Sequence, residues 1–271
     1  MRYAFPAFAA VMLLLPALPV PEFWITQSIY IGLYSLVALG LVLLTGVAGL
    51  TSFGQAAFVG IGAYTAAYLA TTSGISPWLT LLMGVVLAVA GALVLGVITL
   101  RMSGHYLPLA TIAWGLALNY TMANMEWLGK YDGILGIPSM TLLGVDLGTG
   151  RGLHPLVWAI ALLAALAALR LLDSRPGRAI RALKNGSMMA EAMGISTFRY
   201  KLTVFVMAAM LAAVSGWLFA HFQRSVSPSP FGINKGIEYL FMAVLGGVGH
   251  VWGAFLGSAV VRLVEDKLQV L

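Results

Sequence analysis

The chain has 271 residues, of which 61% are hydrophobic and 9% are charged. Soluble domains average about 45–50% apolar and about 25% charged residues, so this composition excludes a soluble enzyme, a disordered tail and a disulfide-stapled secreted module. The absence of cysteine excludes a thiolate metal site, and the net charge of +6 is better explained by the loops of a membrane protein than by nucleic-acid binding.

Apolar runs predict an all-α, polytopic transmembrane bundle with about eight spans, since a spanning helix needs about 20 apolar residues. The first run is short and interrupted by prolines, and no A-x-A cleavage site follows it before Glu22, which favours a retained short helix over a secretory signal. The predicted spans cover residues 5–21, 24–44, 55–72, 77–99, 105–122, 154–172, 202–222 and 237–261.

A Gly-rich stretch between the second and third spans departs from a plain membrane helix. Glycines and polar side chains weaken a continuous helix, and non-helical backbone survives at membrane depth only where it is buried in protein or lines a watery cavity. Residues 45–55 are therefore predicted to be either a broken or re-entrant segment that holds solutes, or a short cytoplasmic loop. A second Gly-rich segment, residues 245–253, lies in the opposite half of the chain and hints at an internal repeat.

Basic residues predict the orientation, because Lys and Arg are retained on the cytoplasmic side. Residues 170–201 carry seven of them, so this loop is placed inside. The N-terminus is then cytoplasmic, and residues 123–153 form a long external loop. When successive loops are placed alternately on the two sides of the membrane, starting from this loop, eleven basic residues lie inside and four lie outside. Outside the 170–201 loop, the inner ones are Arg2, Arg101, Arg262 and Lys267, and the outer ones are Lys130, Arg151, Arg224 and Lys235.

The inner loop, residues 173–201, contains two predicted short helices. The first is capped by Asp173 or Ser174 and ends near Gly186, with basic residues on one face and apolar residues on the other. The second runs from Ser187 to Met193 and ends at Gly194. Either the pair lies on anionic lipid or it docks into a cytoplasmic protein, and the small residues of the second helix favour docking.

Chemical motifs are scarce in the chain. No Asp, Glu, Lys or Arg is predicted to lie well inside a span; Glu126, Glu238, Arg101 and Arg262 are placed near span ends, which argues against proton coupling and less strongly against sodium coupling. The histidines lack metal-site spacing, so no metal site is predicted. No phosphate-binding loop motif occurs, so the chain is predicted not to be an enzyme and to draw any energy from ATP through a partner.

Four stretches, in order, resemble the permease subunits of branched-chain amino acid importers of the ATP-binding-cassette class. They are residues 44–67, 177–183, 190–201 and 227–257, and the resemblance covers most of the chain from about residue 28 onward. The match is specific for the family and not for the solute, because similar permeases serve urea, amides and aromatic carboxylates.

The resemblance implies a single permease domain over residues 1–271 in a bacterial inner membrane. It implies a complex with a second homologous permease, two cytoplasmic ATP-binding subunits that use ATP and magnesium, and an external solute-binding protein, with no cofactor in this chain itself. Family members continue with another hydrophobic helix after a segment like Glu265–Lys267, so a truncated polypeptide is expected. They also usually carry an acidic or amide residue where Gly186 and Ser187 stand.

Two sets of site residues follow from the patterns together with the resemblance. The solute pathway is assigned to Thr45, Gly46, Gly49, Thr51, Ser52, Gln55, Tyr64, Gly246 and Gly247. Coupling to the ATPase is assigned to Arg178, Arg181, Ala190, Glu191, Ala192 and Gly194. The alternatives from other classes are a passive channel and a sodium-coupled secondary transporter, neither of which needs a docking helix.

Overall fold

The computed structural model describes residues 4–102, 106–142 and 145–269. Within these ranges the chain is built from helices, and two small antiparallel ladders, β1 with β4 and β2 with β3, occur in the connections. The all-α bundle is therefore as predicted. The α-helices are α1 (Ala4–Leu14), α2 (Glu22–Leu41), α3 (Gln55–Thr72), α4 (Pro77–Thr99), α5 (Tyr106–Asn124), α6 (Gly150–Asp173), α7 (Arg175–Asn185), α8 (Ser187–Ala192), α9 (Thr197–Gln223), α10 (Ile233–Leu245) and α11 (Val251–Gln269).

Shorter elements join these helices. Helix α2 continues into a π-helical turn, Val42–Val47, while 3₁₀ turns cover Leu15–Ala17, Glu126–Leu128 and Ser229–Phe231. The strands are β1 (Ile134–Leu135), β2 (Thr141–Leu142), β3 (Val145–Asp146) and β4 (Ser225–Val226).

Four of the described helices are long and apolar enough to cross a membrane: Glu22–Val47, Pro77–Thr99, Gly150–Asp173 and Thr197–Gln223. Each matches a predicted span, and α3 and α4 start and end at the predicted residues; the predicted start of α5, His105, lies outside the described residues. The first predicted span is shorter than these four helices, because α1 has 11 residues and is followed by a 3₁₀ turn at Pro16; the segment still runs from Trp252, which Phe5 contacts, to Arg151. Helix α1 itself rises about 16 Å.

The core forms where α3 packs against α9, and α4 covers both. A Cβ atom added at Gly62 would stand 2.1 Å from the Ala213 carbonyl oxygen, and one added at Gly216 would stand 1.9 Å from that of Val59. These glycines let the two backbones touch, which is how helices associate in lipid. On α4 the small-residue stripe Gly84, Ala88, Ala92 and Gly96 is buried against these neighbours.

Polar contacts of Arg151 and of Lys184 mark the two ends of the bundle, the Arg151 end and the Lys184 end. At the Arg151 end, the Arg151 guanidinium pairs with the carboxylate of Glu22, where α2 begins. At the Lys184 end, the Lys184 ammonium donates to the Gly46 carbonyl oxygen over 3.0 Å. Helix α6 runs from one end to the other, so the predicted external loop and the predicted coupling loop lie at opposite ends.

The prediction of a single span over residues 237–261 is wrong. The chain forms a hairpin of α10 and α11 instead, and a Cβ atom added at Gly257 would stand 1.8 Å from the Met242 carbonyl oxygen. Gly247 and Gly249 allow this reversal, because their φ angles of +107° and +94° strain any other residue. The apolar run is long enough for one span, and its hydropathy does not reveal the turn.

Helix α11 therefore returns to the Arg151 end. There the Arg262 guanidinium donates to the Gln27 side-chain oxygen over 2.7 Å, and the Gln27 amide donates to Asp266 over 2.6 Å. Arg262 and Lys267 lie at the end opposite the α7–α8 connection, which corrects the prediction that they share its side. The excess of basic residues on the side of the α7–α8 connection is therefore smaller than predicted. Arg2, which the prediction places on that side, lies outside the described residues.

Candidate functional site

The two Gly-rich segments meet at the Lys184 end. A Cβ atom added at Gly46 would stand 2.5 Å from the Gly249 nitrogen, so the two backbones are in direct contact. The sequence placed these segments in opposite halves of the chain, and the hairpin brings them together. Gly246 lies in the same turn and contacts the Gly253 backbone, while Gly247 adopts a positive φ.

The α2 helix loosens as it reaches this contact. Its last turn is π-helical, and the Ala48 amide donates to the Leu43 carbonyl oxygen over 3.0 Å. The Thr45 hydroxyl donates to the Leu50 carbonyl oxygen over 3.1 Å, and Gly49 reverses the chain with a φ of +73°. Single π-helical turns of this kind are frequent at functional sites.

Beyond this reversal, the chain turns back into the protein before α3 begins. The Phe53 amide donates to the Thr111 hydroxyl over 3.2 Å, and a Cβ atom at Gly54 would stand 2.4 Å from the Trp114 ring. Gln55, the first residue of α3, is buried. Residues 51–54 are thus non-helical backbone held between α3 and α5, with Ser52 buried and Thr51 half-buried.

Three of the predicted pathway side chains are buried without hydrogen-bond partners among the described residues. They are the hydroxyls of Ser52 and Tyr64 and both polar atoms of the Gln55 amide. An unsatisfied buried polar group costs about 1–3 kcal/mol; Trp114, His154, His221 and Ser258 also have such groups, so this feature alone does not single out the predicted pathway.

Tyr64 is not part of the same site as Gln55. The two residues are nine positions apart on α3, which is two and a half turns of about 3.6 residues, so they lie on opposite faces. Tyr64 lines an apolar cavity of about 510 Å³ beside Met122 and Trp127. The predicted pathway set therefore divides between the Gly-rich contact and a separate apolar cavity.

The predicted helix pair between α6 and α9 exists as α7 and α8. The Ser174 hydroxyl caps α7 by accepting from the Gly177 amide over 3.3 Å, and Ile180 and Leu183 are buried beneath it. Arg178 and Arg181 are exposed on the opposite face, as the pattern predicted.

Helix α8 presents a small, largely exposed surface. Ala190 points inward and is buried, whereas Ala192 and Gly194 are exposed, and Gly194 has a φ of +79°. The Glu191 carboxylate accepts a hydrogen bond from the Thr197 hydroxyl, which fixes α8 to the start of α9. Three methionines surround this surface and are 73–84% exposed: Met188, Met189 and Met193.

Lys184 joins the helix pair to the Gly-rich contact. Besides its bond to the Gly46 carbonyl, its Cα lies 3.5 Å from the Cβ position of Gly49. The sequence placed Lys184 on the solvent-facing side of α7, and no local pattern indicates this long-range bond.

A four-charge cluster (Lys235, Glu238, Arg262 and Glu265) lies between α2 and the hairpin, and one member, Lys235, reaches deeper along α2 than the predicted placement outside the spans. The Lys235 ammonium lies 2.8 Å from Glu238, 3.5 Å from Glu265 and 4.5 Å from the centre of the Tyr34 ring. The Arg262 guanidinium lies 3.2 Å from Glu265. The difference arises because the prediction treated the hairpin as one span whose charged residues lie near its ends.

Tyr34 shows how deep Lys235 lies, whereas Arg262 is nearer the Arg151 end, against Gln27 and Tyr30. Tyr34 is 12 residues from Glu22 and 13 from Val47, the ends of the α2 span, or about 18 Å from either end. The chain reaches this depth through the Ser229–Phe231 turn, and Gly236 of α10 contacts the Phe53 carbonyl oxygen at the start of α3. A sequence pattern does accompany the cluster, since each hairpin arm carries a basic residue followed three positions later by Glu.

The sequence of the chain is similar to known proteins over most of its length. Residues 23–271 match the family described as the branched-chain amino acid transport system permease component. The high-affinity branched-chain amino acid transport system permease protein LivM of Escherichia coli K12 is 32% identical over 87% of this chain and 61% of its own length. LivM of Salmonella typhimurium LT2 is 34% identical with the same coverage, and the permease protein LivH of Escherichia coli K12 is 27% identical over 86% of this chain and 80% of its own length.

The chain thus spans about three fifths of the LivM relatives. No solved structure matches it. The helical bundle, the apolar spans and the family match over almost the whole chain agree with one another. The chain belongs to the family of permease components of branched-chain amino acid transport systems.

Proposed function

We propose that the chain is a permease subunit of an ATP-driven importer for branched-chain or related amino acids. It works in a bacterial inner membrane with a cytoplasmic N-terminus and pairs with a second homologous permease, as the existence of both LivM and LivH relatives suggests. Two ATP-binding subunits supply the ATP and magnesium chemistry, and an external protein delivers the solute. The chain itself carries no phosphate-binding loop motif.

The observation that carries this proposal is the bond between Lys184 and Gly46. It links a helix pair exposed at one end of the bundle to the Gly-rich contact that has unsatisfied polar groups nearby. An ATP-driven permease needs such a link between its docking surface and its solute pathway, whereas a passive channel does not.

The α7–α8 pair is the proposed docking element. Its outward residues are Arg178, Arg181, Glu191, Ala192 and Gly194, and Ala190 supports them from below. Helix α8 has six residues, and its exposed Ala192 and Gly194 offer little bulky apolar surface of the kind that inserts into lipid. Exposed methionines adapt well to an apolar recess on a protein.

Added bulk on α8 should uncouple the permease. We expect Ala192→Trp to leave the chain inserted and folded, because the side chain points outward, but to keep the ATPase from seating. Arg178→Ala should weaken docking only moderately, since an exposed ion pair contributes at most about 1 kcal/mol. The measurements are co-purification of the ATPase with the permease and solute-stimulated ATP hydrolysis in liposomes.

Asp132→Trp is the matched control, because it adds the same bulk at an exposed position at the opposite end of the bundle. It should leave both measurements at the wild-type level. Normal co-purification and normal stimulated hydrolysis with Ala192→Trp would show that α8 is not the docking surface.

A further inference from the structure

The four-charge cluster lines a cavity of about 400 Å³ between α2, α9, α10 and α11. All four ionisable side chains reach the cavity, together with the rings of Tyr30, Tyr34 and Phe219. The side chains of Glu238 and Glu265 keep 25% and 29% of their surface exposed. The cavity is therefore polar on the hairpin side and aromatic on the α2 and α9 sides.

The depth of Lys235, the innermost charge of this cavity, makes a purely structural role costly for that residue. A charged side chain at the centre of a membrane costs about 2.5–3.5 kcal/mol even on scales that allow for local relaxation, and such residues generally mark solute or ion pathways. Lys235 lies against Tyr34 near the middle of the α2 span, whereas Arg262 and its partner Glu265 lie nearer the Arg151 end, at Gln27 and Tyr30.

The closest ion pairs of the cluster lie within single helices. Lys235 pairs with Glu238 inside α10, and Arg262 pairs with Glu265 inside α11, so neither of these bonds joins separate elements. Among the described residues, the ion pair that crosses the hairpin is the longer contact of 3.5 Å between Lys235 and Glu265, while the bond from Arg262 to Gln27 joins α11 to α2. The backbone contact at Gly257 already joins α10 to α11 without any charge.

We propose that this cavity binds the zwitterionic head group of an α-amino acid. Lys235 and Arg262 receive the carboxylate, Glu238 and Glu265 receive the ammonium group, and the side chain of the solute lies toward Phe219. The inference rests on the proposed function and assigns the residues that hold the two charged ends of the solute.

Charge balance selects this class of solute. The lining carries two positive and two negative groups, so a ligand with one charge of each sign gains partners for both of its ends and leaves no net charge in the cavity. A simple carboxylate or a simple amine would leave one charge unbalanced at membrane depth, and urea offers no charge at all. Asp266 does not line the cavity, because its carboxylate is held by the Gln27 amide behind it.

Protection of an introduced thiol tests the proposal without altering the charges. The chain has no cysteine, and Asn234 is an exposed residue of the cavity lining. The Asn234→Cys permease, assembled with its partner subunits in liposomes, is treated with a small water-soluble thiol reagent. The rate of modification is compared in leucine, in leucinamide, which lacks the carboxylate, and in 4-methylpentanoate, which lacks the amine.

Saturating leucine should slow the modification about tenfold or more, since charge-assisted hydrogen bonds at both ends add to its affinity. The two analogues at the same concentration should give little protection. Tyr131→Cys, which lies in a different cavity, is the control and should react at the same rate throughout. Equal protection by all three compounds, no protection by leucine, or equal protection of Tyr131→Cys would overturn the proposal.

A second arm separates direct contact from a distant conformational effect. Adding Glu238→Gln to the Asn234→Cys permease should remove most of the protection by leucine. Adding Glu126→Gln, which breaks an exposed pair with Lys130 outside the cavity, should leave the protection unchanged. Full protection in the Glu238→Gln variant would show that leucine acts from elsewhere.

Uptake by the same Asn234→Cys complex separates this inference from the proposed function. ATP-driven leucine uptake without thiol protection would overturn the zwitterion site and leave the importer intact. Thiol protection without ATP-driven uptake of any amino acid would support the site and contradict the importer.

Discussion

Single glycines determine how closely the central helices approach one another. At Gly216 the nearest atom to an added Cβ would be the Val59 carbonyl oxygen, which belongs to rigid helical backbone and is not able to move aside. At Gly91 on α4 the nearest atom would be 3.8 Å away on the flexible edge of Phe58, an ordinary packing distance. The same substitution should therefore have opposite effects at these two positions.

Gly216→Ala should destabilise the bundle by about 1–3 kcal/mol, the usual cost of overpacking. Gly91→Ala should be neutral or stabilise it slightly, since alanine reduces the freedom of the unfolded chain. Thermal denaturation of the two purified variants in detergent gives the comparison. A melting temperature for Gly216→Ala equal to that of Gly91→Ala would mean that α3 and α9 do not touch at this point.

At the level of residues, the sequence indicates some functional positions and not others. Gly46 and Gly247 stand out because glycine runs inside apolar segments are informative by themselves. Lys184 and Glu265 do not, because each acts through a partner far away in the chain. The Arg262–Glu265 spacing is a local signal, but the contact of Glu265 with Lys235 is not visible in it, and nothing near Lys184 separates that residue from ordinary surface charges.

Helix α4 shows the division of a membrane helix into a packed face and a lipid face. Its small residues pack inward, while Leu82, Val86 and Val94 are 58–62% exposed. Val86 lies near the middle of the helix, where a charge on the lipid face would be most costly.

Val86→Asp should therefore lower the yield of inserted permease, because a charge there costs about 2.5–3.5 kcal/mol. Val86→Ala keeps the helix apolar and should insert normally. Membrane-fraction yield and elution profile in detergent are the measurements. If Val86→Asp inserts as well as Val86→Ala, this face of α4 is covered by water or by another subunit.

At the level of elements, hydropathy predicts the helices that cross completely and fails for the hairpin. The runs for α2, α4, α6 and α9 are continuous, and their bounds lie close to the predicted ones. The run over 237–261 is equally apolar, yet it contains a reversal set by the conformations of Gly247 and Gly249 and by the contact with Gly46. Those contacts depend on residues that are distant in sequence, so the local pattern does not contain them.

For the molecule as a whole, the hairpin changes the arrangement of charge across the membrane. It brings Arg262 and Lys267 to the Arg151 end, while the α7–α8 pair carries its basic residues at the Lys184 end. Placing the Lys184 end in the cytoplasm agrees with retention of basic residues on that side.

Labelling of single introduced cysteines should show which side of the membrane each end of the bundle faces. In spheroplasts, Lys267→Cys and Tyr131→Cys should react with an impermeant thiol reagent, because both residues are exposed at or beyond the Arg151 end. Arg181→Cys, exposed at the other end, should react only after the membrane is opened. Reaction of Arg181→Cys in intact spheroplasts would invert the orientation, and protection of Lys267→Cys alongside a reactive Tyr131→Cys would contradict the hairpin.

The contact series from Lys184 through Gly46 to Gly249 has a thermodynamic consequence. Two sites that bias the same element share one coupling free energy, and that energy acts equally in both directions. Suppose that an ATPase bound to α7–α8 changes the affinity for solute beside the hairpin by some factor. Bound solute then changes the affinity for the ATPase by the same factor. In the proposed complex, assembly with the ATPase and occupancy of the pathway would therefore be two measures of a single coupling free energy, carried by the contact between the backbones of Gly46 and Gly249.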